Sequence, residues 1–226
     1  MRVYNNYADT VSIYFEEGII MIKGTSELIS QRREEIINAC EQLYQEMSFK
    51  DVTIKEIGNV TSFSRPTIYN YFETKEEIFL ALYEREYYRW NKALEGILND
   101  NESLSAEDLA DMIAQSLGDR VQLLRLLSMN NYDMEANSRP ELLVSFKKAY
   151  GRSKELVAEL LKKFCLKKDE SEIKRFIYTF FPFMFGIYPY AMVTDKQRTA
   201  MKEAGISYTY YSVYELTYNC ILKLLN

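Results

Sequence analysis

The chain has 226 residues, 47% of them hydrophobic and 14% aromatic, which is enough to bury the core of one large or two modest domains. Its net charge of −5 and isoelectric point near 5.1 exclude a generally basic surface, so any contact with nucleic acid must be confined to a local positive region. The absence of histidine excludes Ser–His–Asp and Cys–His catalysis and removes the commonest metal ligand, so we expect no catalytic site, metal or cofactor.

Residues 1–27 are predicted to form an extension that precedes the first domain. Glu16 and Glu17 interrupt its apolar stretches and Arg2 is its only early basic residue, so it lacks the pattern of a signal peptide. Met21 is a candidate for the native start.

Further along, helix-period patterns recur over most of the chain and alternating strand patterns are scarce, which predicts an all-α fold.

Residues 28–75 are predicted to form a small helical domain. Its first helix covers about 30–47 and carries an apolar stripe that includes Ile36 and Cys40. Thr53 and Glu56 then stand three residues apart, which is the spacing of a capping box, so a short helix should start at Ile54. The apolar residues Ile57 and Val60 are predicted to form the inner edge of that helix.

A turn at Thr61-Ser62-Phe63 leads to a second short helix, predicted over about 65–72. Ser64 is its expected N-cap, and Pro66 lies in the first turn, where a missing N–H costs nothing. Ile68 and Phe72 are four residues apart and should face inward. The outer surface is then left to hydrogen-bonding side chains, which are Arg65, Thr67, Tyr69, Asn70 and Tyr71.

The order of helix, tight turn and helix is what a protein needs to place side chains in the major groove of DNA. Arg65 is the best candidate for reading a guanine, because a guanidinium can donate two hydrogen bonds to that base. An ordinary helical hairpin with solvated polar residues has the same spacing. Spacing alone does not separate these two interpretations.

The stretch from about Ser30 to Leu82 resembles the DNA-binding domain of TetR-family transcriptional regulators. The resemblance is carried by the Thr53 cap, Ile57, the turn, the run Ser64-x-Pro66-Thr67-Ile68-Tyr69-x-Tyr71-Phe72, and the following Lys75-Glu76-Glu77-Ile78. The chain departs where the family's turn usually reads Ala-Gly-Val, so Ser62 stands where a positive φ is often needed. In the family, residues matching Tyr69 and Lys75 typically lie at phosphates. The resemblance implies that DNA is approached by Thr53, Lys55, Ser64, Arg65, Pro66, Thr67, Tyr69, Asn70, Tyr71 and Lys75.

A connecting helix is predicted over 76–98, and a second domain over 99–226. The polar segment 99–103 is predicted to mark the boundary between the two domains. Beyond it, the apolar periodicity predicts helices at about 105–117, 119–129, 139–165, 170–192 and 208–225.

Residues 176–193 are uncharged and long enough to be mistaken for a membrane span. Two prolines, a glycine, a threonine and three tyrosines make a poor lipid-facing helix, so we predict a buried helix and no membrane contact. Pro182 should kink or interrupt that helix, and Pro189 should help to end it.

This helix and the last one are predicted to form a four-helix interface between two copies of the chain, as the last two main helices commonly do in the family. Core packing inside one subunit is an open alternative for the same side chains. The predicted interface residues are Phe176, Phe183, Val213, Leu216, Thr217, Cys220 and Leu224.

The second domain also holds an unusual number of aromatic residues, which predicts an apolar cavity with hydroxyl groups at its edge. Such a cavity would suit a small hydrophobic or aromatic effector. Each of these side chains can instead be ordinary core. The predicted ligand-binding residues are Phe146, Tyr150, Phe180, Phe181, Met184 and Tyr188.

The resemblance implies a ligand-responsive repressor that binds a palindromic operator in double-stranded DNA as a homodimer. A small molecule in the second domain would shift the connecting helix and change the separation of the two reading heads. The alternative is a helical binding protein of the same fold that acts through a protein partner without recognising an operator. A helical enzyme has the least support.

Three well-separated cysteines in apolar patterns are typical of reduced thiols, which places the protein in the cytoplasm.

Overall fold

The computed structural model describes residues 12–15, 18–21, 23–129 and 131–226, with side chains described from residue 26 onward except at position 131. The described part begins with a short antiparallel hairpin, β1 (Ser12–Phe15) and β2 (Gly18–Met21), in which Ser12 pairs with Met21. All further elements are α-helices, so the predicted all-α fold is confirmed for both domains. The predicted extension, residues 1–27, lies partly outside the described residues.

The chain divides into two compact units, the first ending at Leu82 and the second beginning at Tyr83. The first unit contains α1 (Lys23–Glu46), α2 (Ile54–Val60), α3 (Arg65–Ile68) and the first eight residues of α4 (Lys75–Asp100). Its core is formed by the side chains predicted to face inward together with the start of α4, which are Ile36, Cys40, Ile57, Ile68, Phe72, Ile78 and Phe79. The prediction that Val60 lies on the inner edge of α2 was wrong, because this last helical residue is 41% exposed where the chain turns away.

The helix α3 is shorter than the predicted range of 65–72. After Ile68 the chain continues in turns, in which the Asn70 N–H donates to the Thr67 carbonyl over 3.2 Å and the Tyr71 N–H donates to Ile68 over 2.9 Å. These bonds span three residues and are typical of a tightened last turn. Threonine, asparagine and tyrosine are weak helix formers, which explains the early end of the regular helix.

The second unit holds the rest of α4 and seven further helices. These are α5 (Ala106–Gly118), α6 (Val121–Leu127), α7 (Asn131–Ala136), α8 (Pro140–Phe164), α9 (Glu170–Ala191), α10 (Asp195–Glu203) and α11 (Val213–Leu225). The helix α9 packs against α6, α8 and α11, and α11 also packs against α5. The sequence did not predict α7 or α10, and the last helix begins at Val213 rather than near residue 208.

The two units meet within α4 and not at the polar segment 99–103. That segment ends α4 and lies inside the second unit, because the second half of α4 buries Tyr87, Trp90 and Leu94 in that unit's core. The polar break was a correct signal for the end of a helix. The boundary between the units lies inside a continuous helix, where no break in the sequence marks it.

Polar contacts fix α4 against α8 within the second unit. The Ser145 hydroxyl donates to Glu84 over 2.6 Å. The buried Asn91 amide donates to the Ala149 carbonyl over 3.0 Å, and the Ser153 hydroxyl donates to the Asn91 side-chain oxygen over 2.6 Å. Buried polar groups that are fully paired hold two helices in one register.

The helix α9 runs without interruption from Glu170 to Ala191 and contains both Pro182 and Pro189. Pro182 was predicted to kink or interrupt the helix, and it does not interrupt it; the helix ends two residues after Pro189, which was predicted to help end it. Pro182 is exposed, so the Tyr178 carbonyl that loses its usual donor lies on the side of the helix open to water. Among the described residues, no single helix is long and apolar enough to cross a bilayer, and only α9 and α10 taken together, bent by 81°, have that length and composition.

Candidate nucleic-acid interface and ligand cavity

The predicted DNA-reading surface lies on α2, α3, the turns after α3 and the first residue of α4. One half of the predicted capping box starts α2, since the Glu56 N–H donates to the Thr53 hydroxyl over 3.3 Å. Ser64 occupies the N-cap position of α3, and its hydroxyl lies 3.3 Å from the Thr67 hydroxyl instead of capping the backbone. Pro66 lies in the first turn of α3, as predicted.

All ten residues predicted to contact DNA have accessible side chains. Seven are exposed, namely Thr53, Lys55, Ser64, Arg65, Pro66, Tyr69 and Asn70, and three are partly exposed, namely Thr67, Tyr71 and Lys75. Beneath them, Ile68 and Phe72 are fully buried and fix α3 on the rest of the unit. The surface therefore combines a rigid base with polar side chains that are open to a ligand.

Two of these residues contact each other on the outer face of α3. The Arg65 guanidinium donates to the Tyr69 hydroxyl over 3.0 Å and lies 5.7 Å from the centre of the Tyr69 ring. An arginine held across an aromatic ring loses fewer rotamers when it binds, because its planar group already has a fixed direction. Tyr69 therefore orients the side chain that we predict to read a base.

Lys75, the first residue of α4, is held inside the first unit. Its Nζ donates to the Phe49 carbonyl over 2.8 Å and to the Val52 carbonyl over 3.3 Å, and lies 4.3 Å from the centre of the Phe49 ring. An ammonium group has three N–H donors, so one remains for a phosphate. Lys75 thus braces the loop between α1 and α2 at the position where a phosphate contact is predicted.

The turn between α2 and α3 is held by a side chain that sequence reasoning missed. Both the backbone N–H and the hydroxyl of Ser62 donate to the Glu35 carboxylate of α1, the hydroxyl over 3.1 Å. Glu35 thereby stabilises a turn in which serine stands where the family usually has glycine. The only sequence signal was the serine itself, because Glu35 lies 27 residues away.

We expect Glu35→Ala to lower the free energy of unfolding by about 1 kcal/mol. The carboxylate accepts two hydrogen bonds, each of a kind worth about 1.5–3 kcal/mol, and partial exposure to solvent reduces that value. Urea unfolding measures the change. The neighbouring Glu34→Ala, which removes an exposed carboxylate paired with Arg33, serves as the control. Equal losses for the two variants would show that Glu35 does not hold the turn.

The second unit contains a cavity of about 120 Å³ between α4, α7, α8 and α9. Its lining residues are Tyr83, Tyr87, Glu135, Phe146, Lys147, Tyr150 and Phe185. Two residues of the predicted ligand site, Phe146 and Tyr150, are among them. The lining residues Tyr83 and Tyr87 of α4 were not predicted, because the sequence does not show which face of this long helix lies against the other helices of the second unit.

The other predicted ligand-binding residues lie elsewhere. Phe180, Phe181 and Met184 are buried in the core of the second unit, with the Phe181 ring centre 5.7 Å from that of Tyr150. Tyr188 is partly exposed near the end of α9 and does not line the cavity. Of the three buried residues, Phe181 packs against a lining residue of the cavity.

The polar groups of the cavity are phenol hydroxyls and one ion pair. Burial raises the pKa of the Tyr87 hydroxyl, and burial likewise raises the pKa of Tyr150. Both phenols therefore stay protonated at neutral pH and can donate hydrogen bonds. At the same cavity, the Lys147 ammonium and the Glu135 carboxylate form an ion pair of 2.5 Å.

A more open groove of about 370 Å³ lies between α8 and α9. Ile173, Ile177 and Ala158 provide its apolar surface, and Lys154, Lys162 and Lys174 are its basic residues. Lys154 lies over the Tyr178 ring, 4.5 Å from its centre. The groove also carries Glu155 and Glu170, so it has no strongly charged character.

The residues predicted for a dimer interface fall into two groups. Phe176, Val213 and Thr217 are buried inside the subunit, which favours the alternative of core packing for these three. Phe183, Leu216, Cys220 and Leu224 are partly exposed and stay available to a second copy. On α9, the exposed aromatic residues Tyr178, Phe185 and Tyr190 add apolar surface that the sequence analysis did not select.

Comparison with known proteins gives matches to both parts of the chain. A family profile described as "Bacterial regulatory proteins, tetR family" matches residues 36–82, and one described as "Tetracyclin repressor-like, C-terminal domain" matches residues 84–215. The chain belongs to the TetR family. This TetR-family chain is therefore a transcriptional regulator, with an N-terminal helix-turn-helix domain and a C-terminal helical domain.

The regulator also resembles individual proteins. The uncharacterized HTH-type transcriptional regulator YdgC of Bacillus subtilis (strain 168) is 29% identical over 83 residues, which cover 37% of this chain and 42% of YdgC. This chain thus matches less than half the length of that relative.

Solved structures share the fold over nearly the whole chain. The fatty acid degradation regulator FadR from Bacillus halodurans superposes with a TM-score of 0.55 at 16% identity, covering 86% of this chain and 95% of that one. FadR from Bacillus subtilis in complex with stearoyl-CoA gives 0.54 at 15% identity, covering 85% and 96%. FadR from Thermus thermophilus in complex with lauroyl-CoA gives 0.52 at 22% identity, covering 86% and 93%. These likenesses concern the fold alone.

Proposed function

We propose that this TetR-family regulator is a cytoplasmic repressor that binds a palindromic operator as a homodimer and is released by a small effector. The observation that carries the proposal is the outer surface of α3 and of the turn after it, where Arg65, Tyr69 and Asn70 are exposed above a fully buried Ile68. Side chains on such a helix can reach base edges, while neighbouring hydroxyl and ammonium groups bind phosphates.

The homodimer rests on apolar surface that one chain leaves uncovered. On α9, Tyr178 and Tyr190 are each 63% exposed, and Leu216, Cys220 and Leu224 recur every four residues along α11 with partly exposed side chains. Exposed apolar surface of this kind marks an interaction site. A two-fold dimer built on it would present two copies of α3 to two half-sites, which is why the operator should be a palindrome.

The effector site rests on the cavity of the second unit. Tyr83 and Tyr87 line it from α4, whose first residues belong to the reading unit, so a ligand that moves α4 would alter DNA binding. Two FadR proteins of the same fold are bound to stearoyl-CoA and lauroyl-CoA, which have apolar chains. The aromatic walls of this cavity support a small hydrophobic or aromatic effector here.

We expect Tyr69→Phe to relax the preference for the base that Arg65 reads while leaving binding to unrelated DNA nearly unchanged. The substitution keeps the ring beneath the guanidinium and removes the hydroxyl that accepts its hydrogen bond. The loss should be about 1 kcal/mol of discrimination per half-site. Competition binding with single-base operator variants measures it. A uniform loss on every sequence would instead show that the hydroxyl contacts a phosphate.

The proposed function is tested by nuclease footprinting on the DNA upstream of the regulator's own gene, repeated over a salt series, with sedimentation to determine the mass in solution. A protected palindrome, weaker binding at higher salt and a dimeric mass are expected. Protection without any sequence preference would contradict operator recognition. A monomeric mass at the protecting concentration would contradict the dimer.

A further inference from the structure

The walls of the cavity in the second unit are aromatic rings in direct contact. The ring centres of Tyr83 and Tyr87 lie 5.2 Å apart in a stacked arrangement, those of Tyr83 and Phe146 lie 4.8 Å apart, and those of Tyr87 and Tyr150 lie 5.6 Å apart. Such walls offer ring faces and edges to another flat molecule.

The size of the cavity limits the ligand. Its volume is about 120 Å³. An engineered apolar cavity of about 150 Å³ in another protein accepts benzene, so a cavity of this size suits one ring. A long acyl chain would require the packed rings to separate. The dimensions therefore favour a single-ring compound.

The charges at the cavity favour a particular substituent on that ring. Of its lining residues, Lys147 is the only cation and Glu135 the only anion, and they pair with each other. Their side chains are 48% and 32% exposed, which places the pair at the mouth of the cavity. An ion pair that is this accessible to water is weak, so a second carboxylate can replace the first at little cost.

The remaining polar groups of the wall suit the same substituent. Tyr87 and Tyr150 carry phenol groups, which can donate a hydrogen bond to a carboxylate. A neutral aromatic compound would leave the Glu135–Lys147 pair intact and gain no charge contact. An amine could pair with Glu135, but it would then leave the Lys147 ammonium beside it as a like charge and find only phenol oxygens, which are weaker acceptors than the phenol O–H groups are donors. These contacts select for an anion on the ring.

We propose that the cavity binds a small aromatic carboxylate, with its ring among Tyr83, Tyr87, Phe146 and Tyr150 and its carboxylate on the Lys147 ammonium in place of Glu135. The proposal names the class of effector and rests on the proposed function. Glu135 on α7 then competes with the ligand, because its carboxylate pairs with the Lys147 ammonium until the ligand binds.

The test is isothermal titration calorimetry with benzoate as the probe and benzyl alcohol as its neutral counterpart, on the full-length protein. Benzoate should bind at least tenfold more tightly than benzyl alcohol. Lys147→Met should lower benzoate affinity at least tenfold and leave benzyl alcohol affinity unchanged, whereas Glu135→Gln should raise benzoate affinity. Lys148→Met, next to it on α8 and not a lining residue, should behave as the wild type.

Equal affinities for the two probes, no detectable binding of benzoate, or an unchanged affinity in Lys147→Met would each overturn the proposal. Lys147→Gln replaces Lys147→Met if thermal unfolding shows that the methionine variant is not folded. Operator binding is measured on the same samples without ligand. Intact operator binding with a failed benzoate result overturns only the effector class, while absent operator binding overturns the proposed function independently.

Discussion

Arg65→Ala is expected to abolish the preference for one base in each operator half-site. The guanidinium is exposed on α3 and held across Tyr69, and a guanidinium can donate two hydrogen bonds to a guanine. Each such contact contributes about 1–3 kcal/mol of discrimination, so a dimer that loses two of them should lose about 2–6 kcal/mol. Fluorescence anisotropy with the operator and with its single-base variants measures the change.

The matched comparison for Arg65 is Lys75→Ala. Lys75 has one N–H donor left for a phosphate after its two bonds to carbonyl groups, so its loss should weaken binding to all sequences alike and lower the salt dependence. The same substitution should also destabilise the first unit, which urea unfolding reports separately. If the two variants changed base preference equally, the division of roles between Arg65 and Lys75 would be wrong.

Trp90→Ala is expected to cause the largest loss of stability among the single substitutions considered for the second unit. The side chain is fully buried, with its ring centre 6.0 Å from that of Phe181, and its indole N–H donates to the Ser116 hydroxyl over 3.1 Å. Removing a buried tryptophan costs about 3–5 kcal/mol, since it leaves a cavity and removes the donor to a buried hydroxyl. Chemical unfolding followed by circular dichroism measures the change in unfolding free energy.

Tyr88→Ala is the control for Trp90, because it is also an aromatic residue of α4 and is 51% exposed. Its effect should stay within about 0.5 kcal/mol, as for most surface substitutions. A Trp90→Ala variant that unfolds at the same denaturant concentration as Tyr88→Ala would contradict the described core. The gain in helix propensity when an aromatic residue becomes alanine is nearly equal in the two variants, so it cancels in the comparison.

The reading domain was predictable because its signals are local. Thr53 with Glu56, and Pro66 after Ser64, set the starts of α2 and α3 through groups within three residues of each other. The end of α3 was less predictable, since the backbone passes from α-helical bonds to turn bonds without a glycine or proline to mark it. The contact of Glu35 with Ser62 joins distant parts of the chain and has no periodic signal.

In the second domain, sequence periodicity indicates the helices but not which of their side chains face the cavity. The pattern along α9 correctly indicated a helix, and two residues predicted for a ligand site, Phe146 and Tyr150, line the cavity. Which aromatic side chains face that cavity depends on how α4, α8 and α9 cross, so Phe181 and Met184 lie in the core while Tyr83 and Tyr87 form the wall. The helix α10 was missed because none of its residues is buried, and only its Thr194 capping box marks it.

Selection of bound duplexes from a random DNA library with the full-length protein, followed by sequencing, tests whether α3 reads an operator. We predict that the wild type enriches a palindrome and that Arg65→Ala no longer selects it. The absence of any enriched sequence, from a protein shown to be folded and dimeric, would contradict it and favour a helical binding protein that acts through a protein partner.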